Sequence, residues 1–294
     1  GVPLKNGQIN AGGLGAHVQR EGINKAAMNG VKFINVSPLR SDLHLKNSTW
    51  VKINPNTDVA LIMALAFHLD EAKLVNKDFL EKYTVGYQKF IDYVRGKKDG
   101  IAKNARWASG ITGVNEKIIR DLILQISDAK RTMISVSWSL TRQDHGEQPF
   151  WAAITFACML GQIGLPGGGI GFGYSAVNSM GNNFNNIRGA SVPQGINNIK
   201  SFIPVARISE MLEKPNQPFE YNGSTYNYPD IKLIYWAGGN PFHHHQDLNR
   251  MIKAWQKPDT IICNEWCWNS LAKHSDIILP CTTSLERNDI MISP

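Results

Sequence analysis

Short β-rich runs that each stop in polar turn residues, with helical stretches between them, constrain this chain more than any other feature. Val31-Lys32-Phe33-Ile34-Asn35-Val36 ends at Ser37-Pro38, and Trp50-Val51-Lys52-Ile53 ends at Asn54-Pro55-Asn56-Thr57-Asp58. Thr57 or Asp58 can cap a helix running from about Val59 through Leu69, whose apolar residues recur all round and so require burial on several sides. Helical patterns follow over Leu74 to Glu81, Phe90 to Arg95 and Asn115 to Ser127, then a strand at Arg131 to Val136 and an apolar helix from about Gln148 to Gln162. Alternation of this kind predicts a parallel sheet flanked by helices, with ligands held beyond the carboxyl ends of the strands.

The remainder repeats the design after a long interruption. The glycine-rich run Gly164 to Gly173, the Asn/Gly/Ser-rich stretch Asn178 to Asn198 and the stretch Pro215 to Pro229 read as loops and turns. Strands are then expected at Ile231 to Trp236, Thr260 to Cys263 and Asp276 to Leu279, with a helix from about Gln246 to Gln256. The fold class is therefore α/β, with two dinucleotide-binding-like units, 1–195 and 196–294, each a mainly parallel sheet flanked by helices. A helix from about Ala16 to Asn29 follows a turn-like opening, so the first unit is expected to lack its first strand.

Composition narrows the function. The apolar runs Leu61 to Phe67 and Ile154 to Leu160 are too short to span a bilayer, and no charged-then-apolar leader opens the chain, although a signal peptide could have been removed. A formal charge of +7 favours an anionic ligand, yet the cations are scattered. The densest run, Arg95 to Arg106, has no interleaved aromatic residues, and a solvated loop or helix face explains it better than a nucleic-acid contact. The cysteines Cys158, Cys263, Cys267 and Cys281 form no CxxC pair, and no second half-site completes a zinc set with Cys263 and Cys267.

The stretch "WAGGNPFHHHQD", Trp236 to Asp247, lies between a strand and a helix, where Gly238 and Gly239 permit a tight turn and close backbone approach of a ligand. Its spacing is GGNP rather than GxGxxG. Adjacent histidines point in different directions, so a metal set from His243, His244 and His245 is disfavoured; packed histidines and ligand-contacting histidines both remain open. Ser139 with His145 and Asp144, or Cys281 with His274, has no nucleophile elbow or oxyanion loop to support a hydrolytic reading.

Three runs carry a family resemblance: "WSLTRQDHGEQPFWAAITFACMLGQIGLPGGGIGFGY", "YWAGGNPFHHHQDLNRMIKAWQKPD" and "HSDIILPCTTSLERNDI". Over essentially its whole length the chain resembles the molybdopterin oxidoreductases of the dimethyl sulfoxide reductase family, in the branch that reduces trimethylamine N-oxide, dimethyl sulfoxide and biotin or methionine sulfoxide. The resemblance implies bis(molybdopterin guanine dinucleotide) molybdenum as cofactor. It places cofactor contacts at Lys5, Asn6, Val36, Ser37, Asn56, Thr57, Asp58, Trp138, Ser139 and Arg142 in the first unit, and at Asn240, His244, Asn264, Glu265 and Arg287 in the second. Asp58 is implied to accept the amine donors of a guanine edge, and Arg287 to meet a phosphate. Many relatives carry an aspartate suited to a ribose where Ser37 stands, and often threonines where Asn269 and Leu271 stand.

The resemblance further implies an S- or N-oxide substrate, a c-type cytochrome as electron donor and a periplasmic location, with a cytoplasmic subgroup. The serine that ligates molybdenum and the domain that closes over the cofactor are expected to lie outside this chain, so no catalytic residue is assigned and the isolated chain is expected to be inactive. Two alternatives stand beside this: a non-catalytic structural or binding fragment, and a member of the formate or nitrate branch.

Overall fold

The computed structural model describes residues 19–43, 45, 48–172, 193, 195–199 and 202–288. The chain divides into two compact units, with the division between residues 187 and 188. The first contains α1 (Gln19–Met28), β1 (Phe33–Val36), β2 (Ser48–Val51), α2 (Asp58–Glu71), α3 (Lys77–Tyr83), α4 (Tyr87–Val94), α5 (Ala105–Thr112), α6 (Glu116–Asp128), β3 (Met133–Val136), α7 (Gln148–Leu160) and β4 (Gly169–Phe172). The second contains α8 (Ile208–Glu213), β5 (Pro218–Tyr221), β6 (Ser224–Asn227), β7 (Leu233–Ala237), α9 (Pro241–His244), α10 (Leu248–Trp255), β8 (Thr260–Glu265) and β9 (Ile277–Pro280).

In the first unit β1 runs parallel to β2 and β3 parallel to β4. Helix α2 is the centre of the packing and touches α4, α5, α6 and α7. Its sequence allows this because Ala64 and Ala66 let neighbouring helices approach while Leu61 and Leu69 fill the space between. Leu69 is 1% exposed, and truncating such a side chain to alanine costs about 2–5 kcal/mol. Three asparagines start the surrounding helices: Asn76 Oδ1 accepts from the Phe79 amide, Asn104 Oδ1 from Trp107, and Asn115 Oδ1 from Lys117. Buried His68 of α2 ties that helix to the start of α5, since its Nε2 accepts from the Ala105 amide at 3.1 Å while Nδ1 donates to Glu71 in its own helix at 2.8 Å.

Two sequence expectations need correction here. The basic run Arg95 to Arg106 is not wholly solvated: Lys103 is 2% exposed, donates to Asp99 and to the Ile101 carbonyl, and lies over the Tyr93 ring at 4.3 Å. The glycine-rich run is not wholly loop, because Gly169-Ile170-Gly171-Phe172 forms β4 in register with Met133 to Val136. Glycine depresses strand propensity, so the pairing with β3 decides the matter.

In the second unit β7, β8 and β9 form a parallel sheet in that order. Directly paired residues share a face. Ile234, Trp236, Ile261, Cys263 and Ile278 occupy the face that packs with Met251, Ala254 and Trp255 of α10. The stretch expected to be merely turn-rich holds an antiparallel hairpin, β5–β6, closed by Asn222 and Gly223 at φ 49° and 76°. Positive φ at both positions is what a two-residue hairpin requires. No helix among the described residues is long and apolar enough to cross a membrane.

Candidate functional site

The parallel register brings the candidate residues of the second unit to one edge. Asn264, next to last in β8, pairs with Ala237, the last residue of β7, and with Leu279 of β9. Directly after Ala237 come Gly238 and Gly239 at φ 77° and 72°, and a side chain added at either would meet no atom within 4 Å. Left-handed backbone favours glycine there, and the free space leaves the main chain approachable by a ligand. Asn264 Oδ1 is buried and has no hydrogen-bond partner, and so is His245 Nε2 just beyond α9. Glu265 is 8% exposed and forms no ion pair with a described cation. A buried carboxylate without a cation and a buried amide oxygen without a donor together present acceptors to a ligand rich in N–H or O–H groups.

Asn240 behaves differently from a free contact. Its Oδ1 accepts from the Phe242 amide at 3.0 Å, and its Nδ2 donates to Ser270 Oγ at 2.9 Å. The side chain is thus largely spent in holding the glycine turn against the loop after β8. Helix α9 is a single turn of four residues, so a long helix with free amides does not follow the glycines directly; α10 starts only at Leu248, capped by Asp247. His243 and His244 are exposed. Arg287 Nη1 donates to the Thr282 carbonyl at 2.6 Å. Asn269 and Leu271 have structural work: Asn269 Oδ1 accepts from the Ala272 amide, and Leu271 is 0% exposed in the core.

In the first unit Val36 ends β1 opposite Val51, and the Ser37 amide continues the ladder to the Val51 carbonyl at 3.2 Å. Ser37 is buried, and its hydroxyl donates to Asp42 while accepting from the Leu39 amide. Its proton is therefore already used, and the acceptor displayed at this strand end is the Asp42 carboxylate. Sequence reading missed Asp42; the short spacing in "SPLRSD" was the available cue. After β2, Asn56 adopts φ 64°, and Thr57 Oγ1 donates back to the Asn54 carbonyl at 2.7 Å instead of capping α2. Asp58 opens α2 with no described cationic side chain paired to it. Burial raises its pKa above the ordinary carboxylate value, against a bond to its own amide that lowers it.

Beyond β3, Trp138 begins a short 3-10 turn through Thr141, Ser139 Oγ donates to Ser137 Oγ at 3.2 Å, and exposed Arg142 ends the turn with its amide on the Ser139 carbonyl. Lys5 and Asn6 lie outside the described residues. The structure thus gathers Asn240, His244, Asn264 and Glu265 around the edge of one sheet, and Val36, Ser37, Asn56, Thr57 and Asp58 beyond a second.

The sequence profile described as Molybdopterin oxidoreductase matches residues 14–293. The chain belongs to the molybdopterin oxidoreductase family. Curated relatives include a biotin sulfoxide reductase of Cereibacter sphaeroides, 46% identical across 97% of this chain and 38% of the relative. A trimethylamine-N-oxide reductase of Haemophilus influenzae is 43% identical across 92% of this chain and 34% of its own length. A dimethyl sulfoxide/trimethylamine N-oxide reductase of Rhodobacter capsulatus is 41% identical across 98% and 36%. The chain spans little more than a third of the length of these relatives. Among solved structures, acetylene hydratase from Pelobacter acetylenicus shares the fold at TM-score 0.53 and 17% identity, over 90% of this chain and 38% of that one.

For a molybdopterin oxidoreductase the set of acceptors fits. The unpartnered Asn264 Oδ1, the carboxyl groups of Glu265 and Asp58, with which no described cationic side chain pairs, and the open space over Gly238 and Gly239 suit an elongated polar group lying along strand ends.

Proposed function

We propose that this chain is the cofactor-gripping portion of a molybdenum-dependent S- or N-oxide reductase, and that each α/β unit holds one guanine dinucleotide arm of bis(molybdopterin guanine dinucleotide) molybdenum. The observation that carries the reading is the buried, unpartnered Asn264 Oδ1 beside the glycine turn at the carboxyl edge of β7 and β8. A buried acceptor left without a donor is costly, and a guanine or ribose donor removes that cost. The names of the relatives, all sulfoxide or N-oxide reductases, supply the substrate class.

In this reading Asn264 and Glu265 accept from guanosine in the second unit, and Asp58 accepts from the guanine edge in the first. Val36, Ser37, Asn56, Thr57, Trp138, Ser139, Arg142, His244 and Arg287 line the remainder, with Lys5 and Asn6 contributing from outside the described residues. Arg142 and Arg287 match phosphate, because a guanidinium is permanently charged and forked. Asn240 positions the glycine turn through Ser270. The bound cofactor supplies two-electron redox chemistry for removing oxygen from the oxide, and the chain's share is binding and orientation. A c-type cytochrome donor and a periplasmic location belong to the same reading.

The test is cofactor retention in the complete polypeptide carrying this chain. Asp58→Ala and Arg287→Ala should each lower the molybdenum and guanine content of purified protein, one by losing an acceptor and the other a charge-assisted contact. Unchanged content in both would count against the assignment. The 294-residue chain alone, loaded with cofactor, should not oxidise reduced viologen with trimethylamine N-oxide or dimethyl sulfoxide. Turnover above that of free cofactor would overturn the fragment reading.

A further inference from the structure

Four buried side-chain atoms among the described residues lack a hydrogen-bond partner: Thr132 Oγ1, Tyr228 Oη, His245 Nε2 and Asn264 Oδ1. Tyr228 has Arg207 and Glu210 beside it, and both feel its hydroxyl. Thr132 precedes β3, at the amino-terminal end of that strand. The other two lie together in the chain's topology: Asn264 beside the last residue of β7, and His245 on the segment that leaves the glycine turn following it.

His245 closes α9, with its amide on the Pro241 carbonyl at 2.9 Å, so its backbone is held by a turn that starts at the Asn240 cap. Burial, and then the neighbouring His244, push its imidazole below the ordinary histidine range, which favours the neutral ring with one N–H donor and one acceptor. In doubly wound folds the glycine turn after a strand is where the ribose–phosphate backbone of a dinucleotide passes, while the base lies toward a neighbouring strand end. On the dinucleotide reading above, Asn264 and Glu265 take the base side. The segment carrying His245 is left with the sugar and phosphate oxygens.

We propose that His245 is a further ligand-binding residue of the second unit, donating from Nε2 to a phosphate or ribose oxygen of the bound dinucleotide; this rests on the dinucleotide reading above. Before binding, the buried nitrogen is unpaired and destabilises the chain. After binding it is paired, so stability and affinity respond to its removal with opposite signs.

The experiment uses the 294-residue chain with guanosine diphosphate as probe, and the variants His245→Leu and His245→Gln. Without nucleotide, the thermal midpoint of His245→Leu should equal or exceed that of the unsubstituted chain. Its Kd for guanosine diphosphate should rise roughly tenfold, the scale of one lost hydrogen bond in a desolvated site. His245→Gln, whose amide reaches about as far as Nε2, should recover most of that affinity. The imidazole resonances of His245, identified by their loss in either variant, should move on saturation, which separates this site from any binding in the first unit. Affinity within twofold in His245→Leu, or a Gln variant no better than Leu, would overturn the proposal while leaving the dinucleotide reading intact. Absence of nucleotide binding to the unsubstituted chain would remove that reading, and this inference with it.

Discussion

Replacing Asn240 tests whether this residue organises the site or merely borders it. Its amide accepts from the Phe242 N–H at 3.0 Å and donates to Ser270 Oγ at 2.9 Å, and the residue is 8% exposed. Asn240→Ala removes the cap, worth about 1 kcal/mol, and leaves the part-buried Ser270 hydroxyl without its partner, worth about 1 kcal/mol more. A loss of about 2 kcal/mol is therefore expected. Asn240→Ser can still cap α9 but cannot reach Ser270, so it should recover roughly half of that loss. Urea unfolding of the chain gives the free energies from the midpoint shift at constant slope, and hydrogen exchange at the Phe242 amide reports the cap directly. An alanine variant within about 0.5 kcal/mol of the unsubstituted chain, or a serine variant no better than alanine, would refute the argument, since surface substitutions commonly fall in that range.

Asp58 supplies a pH test. Its folded pKa is raised by burial, so the folded chain holds the proton more tightly than the unfolded one, and the carboxylate costs stability that is fully present above the folded pKa and vanishes below the ordinary carboxylate value. Asp58→Asn should accordingly stabilise the ligand-free chain at neutral pH, with the gain fading as pH falls through that window; thermal midpoints at several pH values would expose a wrong sign. His68→Leu should cost about 1–3 kcal/mol by orphaning the amide of fully buried Ala105, measured by urea unfolding, and no loss would mean that bond contributes little. Of the free thiols, exposed Cys267 and Cys281 should react with maleimide at once, Cys158 slowly because burial raises its pKa, and buried Cys263 only after unfolding; mass spectrometry of timed samples checks the order.

The elements with a strong local pattern were legible in the sequence to within a few residues. α2 announces itself by apolar residues on every side, α6 by its amphipathic stripe, and β7 and β8 by short apolar runs of aromatic or β-branched residues stopping at Gly238 and near Asn264. The hairpin at Asn222-Gly223 was missed, because the surrounding polar residues made the stretch read as turn-rich only, although that dipeptide is a turn of known type and was the available cue. Strand β4 was not legible, because Gly-Ile-Gly-Phe has little strand preference and is held by pairing with β3.

The candidate site divides along the same line. Its residue types and their place after strand ends were set by the chain itself: Ser37, Asp58, Asn240, Asn264 and Glu265 all follow from local pattern and family resemblance. Which of those groups is still available to a ligand was decided only by tertiary structure. Ser37 donates its hydroxyl hydrogen bond to Asp42, Asn240 is tied to Ser270 thirty residues away, and His68 serves Ala105 across thirty-seven, whereas Asn264 Oδ1 and His245 Nε2 are left unpaired. The reason is physical: a hydrogen bond depends on distance and angle between groups that folding brings together, and sequence separation places no bound on which groups those are.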